Sequence, residues 1–386
     1  KPYPFQAANA RSFTGATQVV FLDFDSATDP GEVAYSTSQR NAVLAGIASN
    51  YAGFDYSFTL AQPTSGDFST LTFNDGPVGG LADGIDFRNL DRNDNATVNI
   101  NGLPDTTSSS ANIVASSVFL GSHELGHIAG LRHGDSYGPL GSGIAPGLSS
   151  NYGPNYPGPK GASEFNENLM SSPASVGASI GQLLAETSFS ARSAVKLAFN
   201  EQGTVTDETA SFHGSIATAQ ALSLPTIALP NTALPDDTLF GGEFQADAEV
   251  VLGSIAVGGE SDFYSFDAQE GDLFNFEVLS GVLNPDRVSF NPIDPTLTIL
   301  DATGVAVDYF GSTAFNDDEL ETLDSIIIDL VIPEDGTFFV EVGAFSSVDT
   351  GSYELFAYRF EVVPEPVASS ILMVGVAAMI ARRRAA

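Results

Sequence analysis

Residues 123–133 read His-Glu-Leu-Gly-His-Ile-Ala-Gly-Leu-Arg-His, and this run limits what its surroundings can fold into more than any other. A helix puts positions i and i+4 on one face, so His123 and His127 present their imidazoles side by side. Leu120, Leu125, Ile128 and Leu131 give that helix an apolar face to bury. Gly130 permits a left-handed backbone where the helix must stop and the chain turn sharply. His133 then comes back from outside the helix as a third nitrogen. Glu124, one residue after the first histidine, is angled toward whatever the imidazoles hold. The chain has four histidines, and three of them fall in these eleven residues. Core packing gives no reason for that clustering. Three neutral imidazoles with a fourth position open match a catalytic zinc site. Zinc held by thiolates is excluded, because the chain has no cysteine.

The order of elements around this run reads as α+β. Residues 17–24 predict a strand. Val43, Ile47 and Tyr51 predict a helix over 38–52. Further strands are predicted near 55–61, 69–74 and 96–100, with the Gly-, Asp- and Asn-rich 75–95 read as loop. The histidine helix is expected from about 110 to 131, capped by Ser108, Ser109 or Ser110. A long irregular stretch at 134–168 precedes another helix, expected over 176–199 with room for a break. After residue 203 helical periodicity fades. Alternating segments at 262–267, 273–279, 296–300, 325–331, 337–342 and 352–358 argue for an all-β sandwich.

The charge balance is lopsided, with 48 acidic and 14 basic residues for a net of −34. Such a chain lacks the cations that neutralise phosphates, so nucleic acid is not expected as a partner. The acids read as a solvated surface or as calcium ligands. The clusters Asp317, Asp318, Glu319 and Asp91, Asn93, Asp94 are the candidates for Ca2+. His213 stands alone and reads as structural.

The 123–133 run resembles the extended zinc signature of the metzincin metallopeptidases. That resemblance implies a catalytic domain over 1–203, with Zn2+ on His123, His127 and His133. It also implies Glu124 as general base on zinc-bound water, and Met170 in a methionine turn beneath the metal. Members with a tyrosine ligand carry it two residues past that methionine, where this chain has Ser172. Members with an aspartate directly after the third histidine differ too, since Gly134 intervenes before Asp135. The strand at 96–100 is implied as the cleft edge for an extended peptide. Residues 204–361 resemble the bacterial pre-peptidase C-terminal domain, through 216–222, 261–266, 270–272, 294–304 and 336–355. An auxiliary β-sandwich with no second active site is thereby implied.

The last residues differ again. Pro-Glu-Pro at 364–366 is followed by an apolar span at 367–381 and by Arg382, Arg383 and Arg384. This order resembles the PEP-CTERM sorting signal. It implies that 362–386 is a sorting signal whose apolar span at 367–381 is a short transmembrane segment, anchoring the chain until an exosortase-like enzyme processes it during export. The expected protein is therefore multidomain. It is a zinc metalloendopeptidase that hydrolyses extracellular proteins or peptides, at the cell surface or outside the cell. The alternative is a non-catalytic zinc-containing surface adhesion or matrix-binding protein.

Overall fold

The computed structural model describes residues 17–138, 140–141, 143, 168–172, 187–230, 244–280, 291–319 and 322–362. Its first part is a five-stranded sheet covered by helices. The strands are β1 (Gln18–Asp23), β2 (Tyr56–Thr59), β3 (Ser69–Phe73), β4 (Gly79–Ala82) and β5 (Asn95–Asn99), in the order β2-β1-β3-β5-β4. All neighbours are parallel except β4, which runs antiparallel to β5 at the sheet margin. Helix α1 (Thr37–Asn50) starts on a reciprocal capping box between Ser36 and Gln39 and buries Val43 and Ile47. Helix α2 (Ser110–Ile128) starts at Ser109, whose hydroxyl accepts the Asn112 N–H. Helix α3 (Ala191–Gln202) is capped by Ser190 and is buried along most of its length.

Three expectations are corrected here. The strand predicted at 96–100 is an inner strand, and the margin is β4, inside the segment read as loop. Two glycines at 79 and 80 hide its alternation. Helix α2 ends at Ile128, not 131, because Gly130 takes φ +92°. The helix predicted over 176–199 has the break allowed for, at 187–190 where Ser188 pairs with Asn168, and its described part runs Ala191–Gln202, past the expected end. Its beginning, and the sorting tail from 363 onward, lie outside the described residues. Among the described residues no helix is long and apolar enough to cross a membrane.

After Gly203, which caps α3, the described chain is β apart from one 3-10 turn at Ile216–Thr218. The longer strands are β6 (Thr204–Asp207), β9 (Phe244–Ile255), β10 (Asp262–Ala268), β11 (Leu273–Leu279) and β12 (Pro295–Leu300), followed by β16 (Ser325–Val331), β17 (Gly336–Ala344) and β18 (Gly351–Val362). The short strands are β7 (Gln220–Ala221), β8 (Thr226–Ile227), β13 (Asp308–Tyr309), β14 (Ser312–Thr313) and β15 (Phe315–Asn316). One sheet runs β15-β12-β17-β10-β7 and the other β16-β11-β18-β9-β6. Their facing sides share a core that includes Phe266, Phe276, Leu297, Val340 and Leu355.

The second sheet is covered on its other side as well. Phe356, Tyr358 and Phe360 alternate with Leu355 and Ala357 along β18 and face the helical part. Phe356 packs against Phe87 and Phe199, with ring centroids 5.1 and 5.0 Å apart. The hydrophobic core is therefore continuous across residue 203.

Charges cross the same boundary. Lys196 of α3 is fully buried, 2.8 Å from Asp135 and 2.9 Å from Glu277 of β11. Arg192 of α3 meets Asp329 of β16 at 2.5 Å, Arg132 meets Asp324 at 2.6 Å, and Arg88 meets Glu354 at 2.6 Å. Removing the cation from such a buried cluster strands the carboxylates. Lys196→Met should therefore lower stability by about 3–5 kcal/mol, read from urea unfolding followed by circular dichroism. A loss below about 1 kcal/mol would mean that the cluster contributes little.

Candidate functional site

The C-terminal end of α2 carries the three clustered histidines. The helix closes as a Schellman turn, with Leu131 N–H on Gly126 C=O and Gly130 N–H on His127 C=O, both at 2.9 Å. A side chain at Gly130 would not fit, because its Cβ would lie 2.7 Å from the Phe87 Cα. The turn sends the chain back, and a 3-10 turn over His133–Ser136 brings His133 to the helix face.

There the Nε2 atoms converge. His123 Nε2 lies 3.1 Å from His127 Nε2 and 3.1 Å from His133 Nε2. On the far side of each helical ring a carbonyl accepts from Nδ1: Leu169 C=O at 2.7 Å from His123 and Leu131 C=O at 3.0 Å from His127. These bonds fix the proton on Nδ1 and leave the Nε2 lone pairs facing one another. Lone pairs at that separation repel unless a cation lies between them. Tetrahedral zinc with Zn–N distances of about 2.0–2.1 Å separates its nitrogens by roughly 3.3 Å, close to what is seen. Burial, with His127 and His133 close by, holds the His123 imidazole well below its ordinary pKa and so in the neutral form a metal requires.

Glu124 is buried beside this cluster. Burial pushes its carboxyl up to about 7, while His133 and the Ala82 backbone N–H pull in the other direction. The neighbouring strand is β4. A Cβ at Gly80 would stand 2.5 Å from Glu124 Oε1, so the bare glycine is what lets β4 run so close to the carboxylate.

Met170 is fully buried, and its Sδ would lie 2.5 Å from a Cβ placed on Gly126, between the two helical histidines. The sequence-predicted residues His123, Glu124, His127, His133 and Met170 thus come together. Asp135 does different work from a ligand. Asp135 accepts the Arg132 backbone N–H at 2.8 Å and pairs with Lys196. The segment carrying His133 is accordingly held from the sandwich, through Arg132 to Asp324 and Glu319 and through Asp135 and Lys196 to Glu277. Burial alone would weaken the protonated Arg132, but Glu319, Asp324 and Glu277 outweigh it and hold the guanidinium above its usual pKa.

Of the acidic clusters proposed for calcium, Glu319 faces Arg132 at 3.4 Å. Asp91 accepts the Asn93 N–H at 2.9 Å, and burial pushes the Asp94 carboxyl up to about 7 with Asp86, Asp91 and Asp83 adding to the effect. His213 is not alone, for its ring nitrogen shares a group with Glu208 and Asp262. Sequence spacing hides this, because Asp262 lies 49 positions further on.

No family model matches the chain, and no curated protein matches it. Among solved structures it is similar to the periplasmic inhibitor of g-type lysozyme from Aeromonas hydrophila, at 12% identity over 29% of this chain and 85% of that chain, with a TM-score of 0.21. The Salmonella Typhimurium inhibitor gives 12% identity, 29% and 86% coverage, and a TM-score of 0.19. The pre-peptidase C-terminal domain of a Bacillus anthracis collagenase gives 17% identity, 28% and 86% coverage, and a TM-score of 0.19. Likenesses this partial bear on neither the histidine cluster nor its chemistry.

The link from the sandwich to His133 can be tested on metal affinity. Asp324→Asn should weaken zinc binding at the three-histidine cluster about 10–100-fold, as loss of an outer support does. Arg88→Met, which breaks a distant pair across the same boundary, should change it far less. The readout is competition with a chromophoric chelator. Equal effects of the two substitutions would show that Asp324 acts only through general stability.

Proposed function

We propose that this chain is a zinc-dependent metalloendopeptidase of the metzincin type, hydrolysing proteins or peptides outside the cell. The observation that carries the reading is the convergence of three imidazole Nε2 atoms beside a buried glutamate. His123, His127 and His133 would hold the ion. When bound, zinc would polarise a scissile carbonyl and bring the pKa of a coordinated water to about 7.

The chain's own residues supply the rest. Glu124 takes the proton of the attacking water and later returns it to the leaving amine. Its raised pKa favours that exchange near neutrality. The Ala82 N–H bonds to the carboxylate and orients it. Leu169 and Leu131 carbonyls keep His123 and His127 in one tautomer. Among the described residues β4 is a sheet margin next to Glu124, where an extended peptide would add as a further strand. Leu81, exposed on that strand, offers apolar contact to its side chains.

Glu124→Gln should keep zinc and lose turnover of a casein or peptide-library substrate by at least about 10²-fold, since only the base is removed. His127→Ala should lose the ion of the three-histidine cluster together with the activity. Zinc bound by the wild type without any turnover would favour the non-catalytic surface protein instead. Undiminished turnover by Glu124→Gln would overturn the assignment of the base.

A further inference from the structure

We propose that Glu208, His213 and Asp262 form a second divalent-metal site, of the zinc class, at one margin of the β-sandwich. Their ligand atoms all lie within 4.8 Å of one another. β6 ends one sheet beside β9, and β7 ends the other beside β10. The chain between them crosses from sheet to sheet and carries Glu208 and His213, while Asp262 opens β10. An ion here would clip the crossover to the first residue of a central-sheet strand.

The decisive feature is the His213 ring, which is 7% exposed. Its Nδ1 lies 3.0 Å from the Ser211 carbonyl, so the proton belongs there and Nε2 presents a lone pair. That Nε2 is 3.3 Å from Asp262 Oδ1, yet it is buried without a hydrogen-bond partner. A simple histidine–aspartate pair would align an N–H with the carboxylate. Here that bond is not made, and the Nε2 lies with the Asp262 and Glu208 oxygens inside the 4.8 Å spread that one ion can bridge.

Each ligand is also held from behind. Tyr353 donates to Asp262 Oδ2 at 2.7 Å, and Tyr264 lies 2.7 Å from the Tyr353 hydroxyl. Ser254 donates its N–H and its hydroxyl to the two oxygens of Glu208, at 2.9 and 2.8 Å. Such outer partners are what fix ligand orientation at metal sites. The charge also fits, since two carboxylates and a neutral imidazole give −2 against a divalent cation. The imidazole selects zinc-like ions over calcium or magnesium, which take oxygen ligands. Glu208 is only half-buried, so an ion can enter from solvent.

The test is zinc titration of the full-length chain, stripped of metal, by isothermal calorimetry. His127→Ala removes the three-histidine cluster and should still bind about one zinc. Adding His213→Ala or, separately, Glu208→Gln should weaken that binding at least ten-fold, in protein whose circular dichroism is unchanged. Glu208 is partly exposed, so its substitution keeps the test open if His213→Ala does not fold. Excess calcium should not displace the ion. Three results would overturn the proposal: no zinc on folded His127→Ala, binding indifferent to both changes, or a preference for calcium. His213→Ala alone should keep the three-histidine equivalent. Its absence there would count against the peptidase reading and not against this site.

Discussion

A layer of buried cations and carboxylates joins the helical part to the sandwich, and the geometry of the histidine cluster depends on it. Arg132, Arg192 and Lys196 are each at most 1% exposed, and their partners Asp324, Asp329 and Glu277 are fully buried. Charges so far from water are costly unless each finds its partner. Such a layer therefore accepts one docking arrangement and penalises others. The apolar contacts of Phe87, Phe199 and Phe356 supply area, but area alone tolerates sliding.

The charge imbalance of the sequence takes on a structural meaning here. Six basic residues before residue 203 are described: Arg40, Arg88, Arg92, Arg132, Arg192 and Lys196. Four of these six, Arg88, Arg132, Arg192 and Lys196, pair with acids of the sandwich. Most of the described cations of the helical part thus lie at this boundary. One consequence is functional. Arg132 adjoins His133, the only clustered histidine outside α2, so the sandwich reaches the cluster through a single peptide bond.

Much of this was legible in the sequence where period and chemistry coincide. The spacing of His123, His127 and His133, with Gly130 between, prescribes the helix and the return of the chain, while the helix itself stops at Ile128, three residues before the expected end. Alternation locates β10, β11, β12, β16, β17 and β18 to within a few residues. What escaped has a physical reason in each case. β4 contains two adjacent glycines and no β-branched residue. β9 carries Asp247 and Glu249, which look like surface residues but are buried against Arg359 and against Thr206 and Ser223. The pairing of Lys196 with Glu277 and the grouping of His213 with Asp262 join distant positions, and no local pattern encodes such contacts. Nor does composition show that an acidic sandwich is the counter-charge of the helical part rather than a solvated surface.

The central claim is that three imidazoles hold one zinc ion beside Glu124. Anomalous diffraction from crystals of the zinc-loaded protein, collected above and below the zinc edge, addresses it directly. The expected map has a peak about 2.0–2.1 Å from the Nε2 atoms of His123, His127 and His133, with the Glu124 carboxylate next to it but outside the ligand set. A map with no peak among those three nitrogens, in crystals whose zinc appears elsewhere, would contradict it.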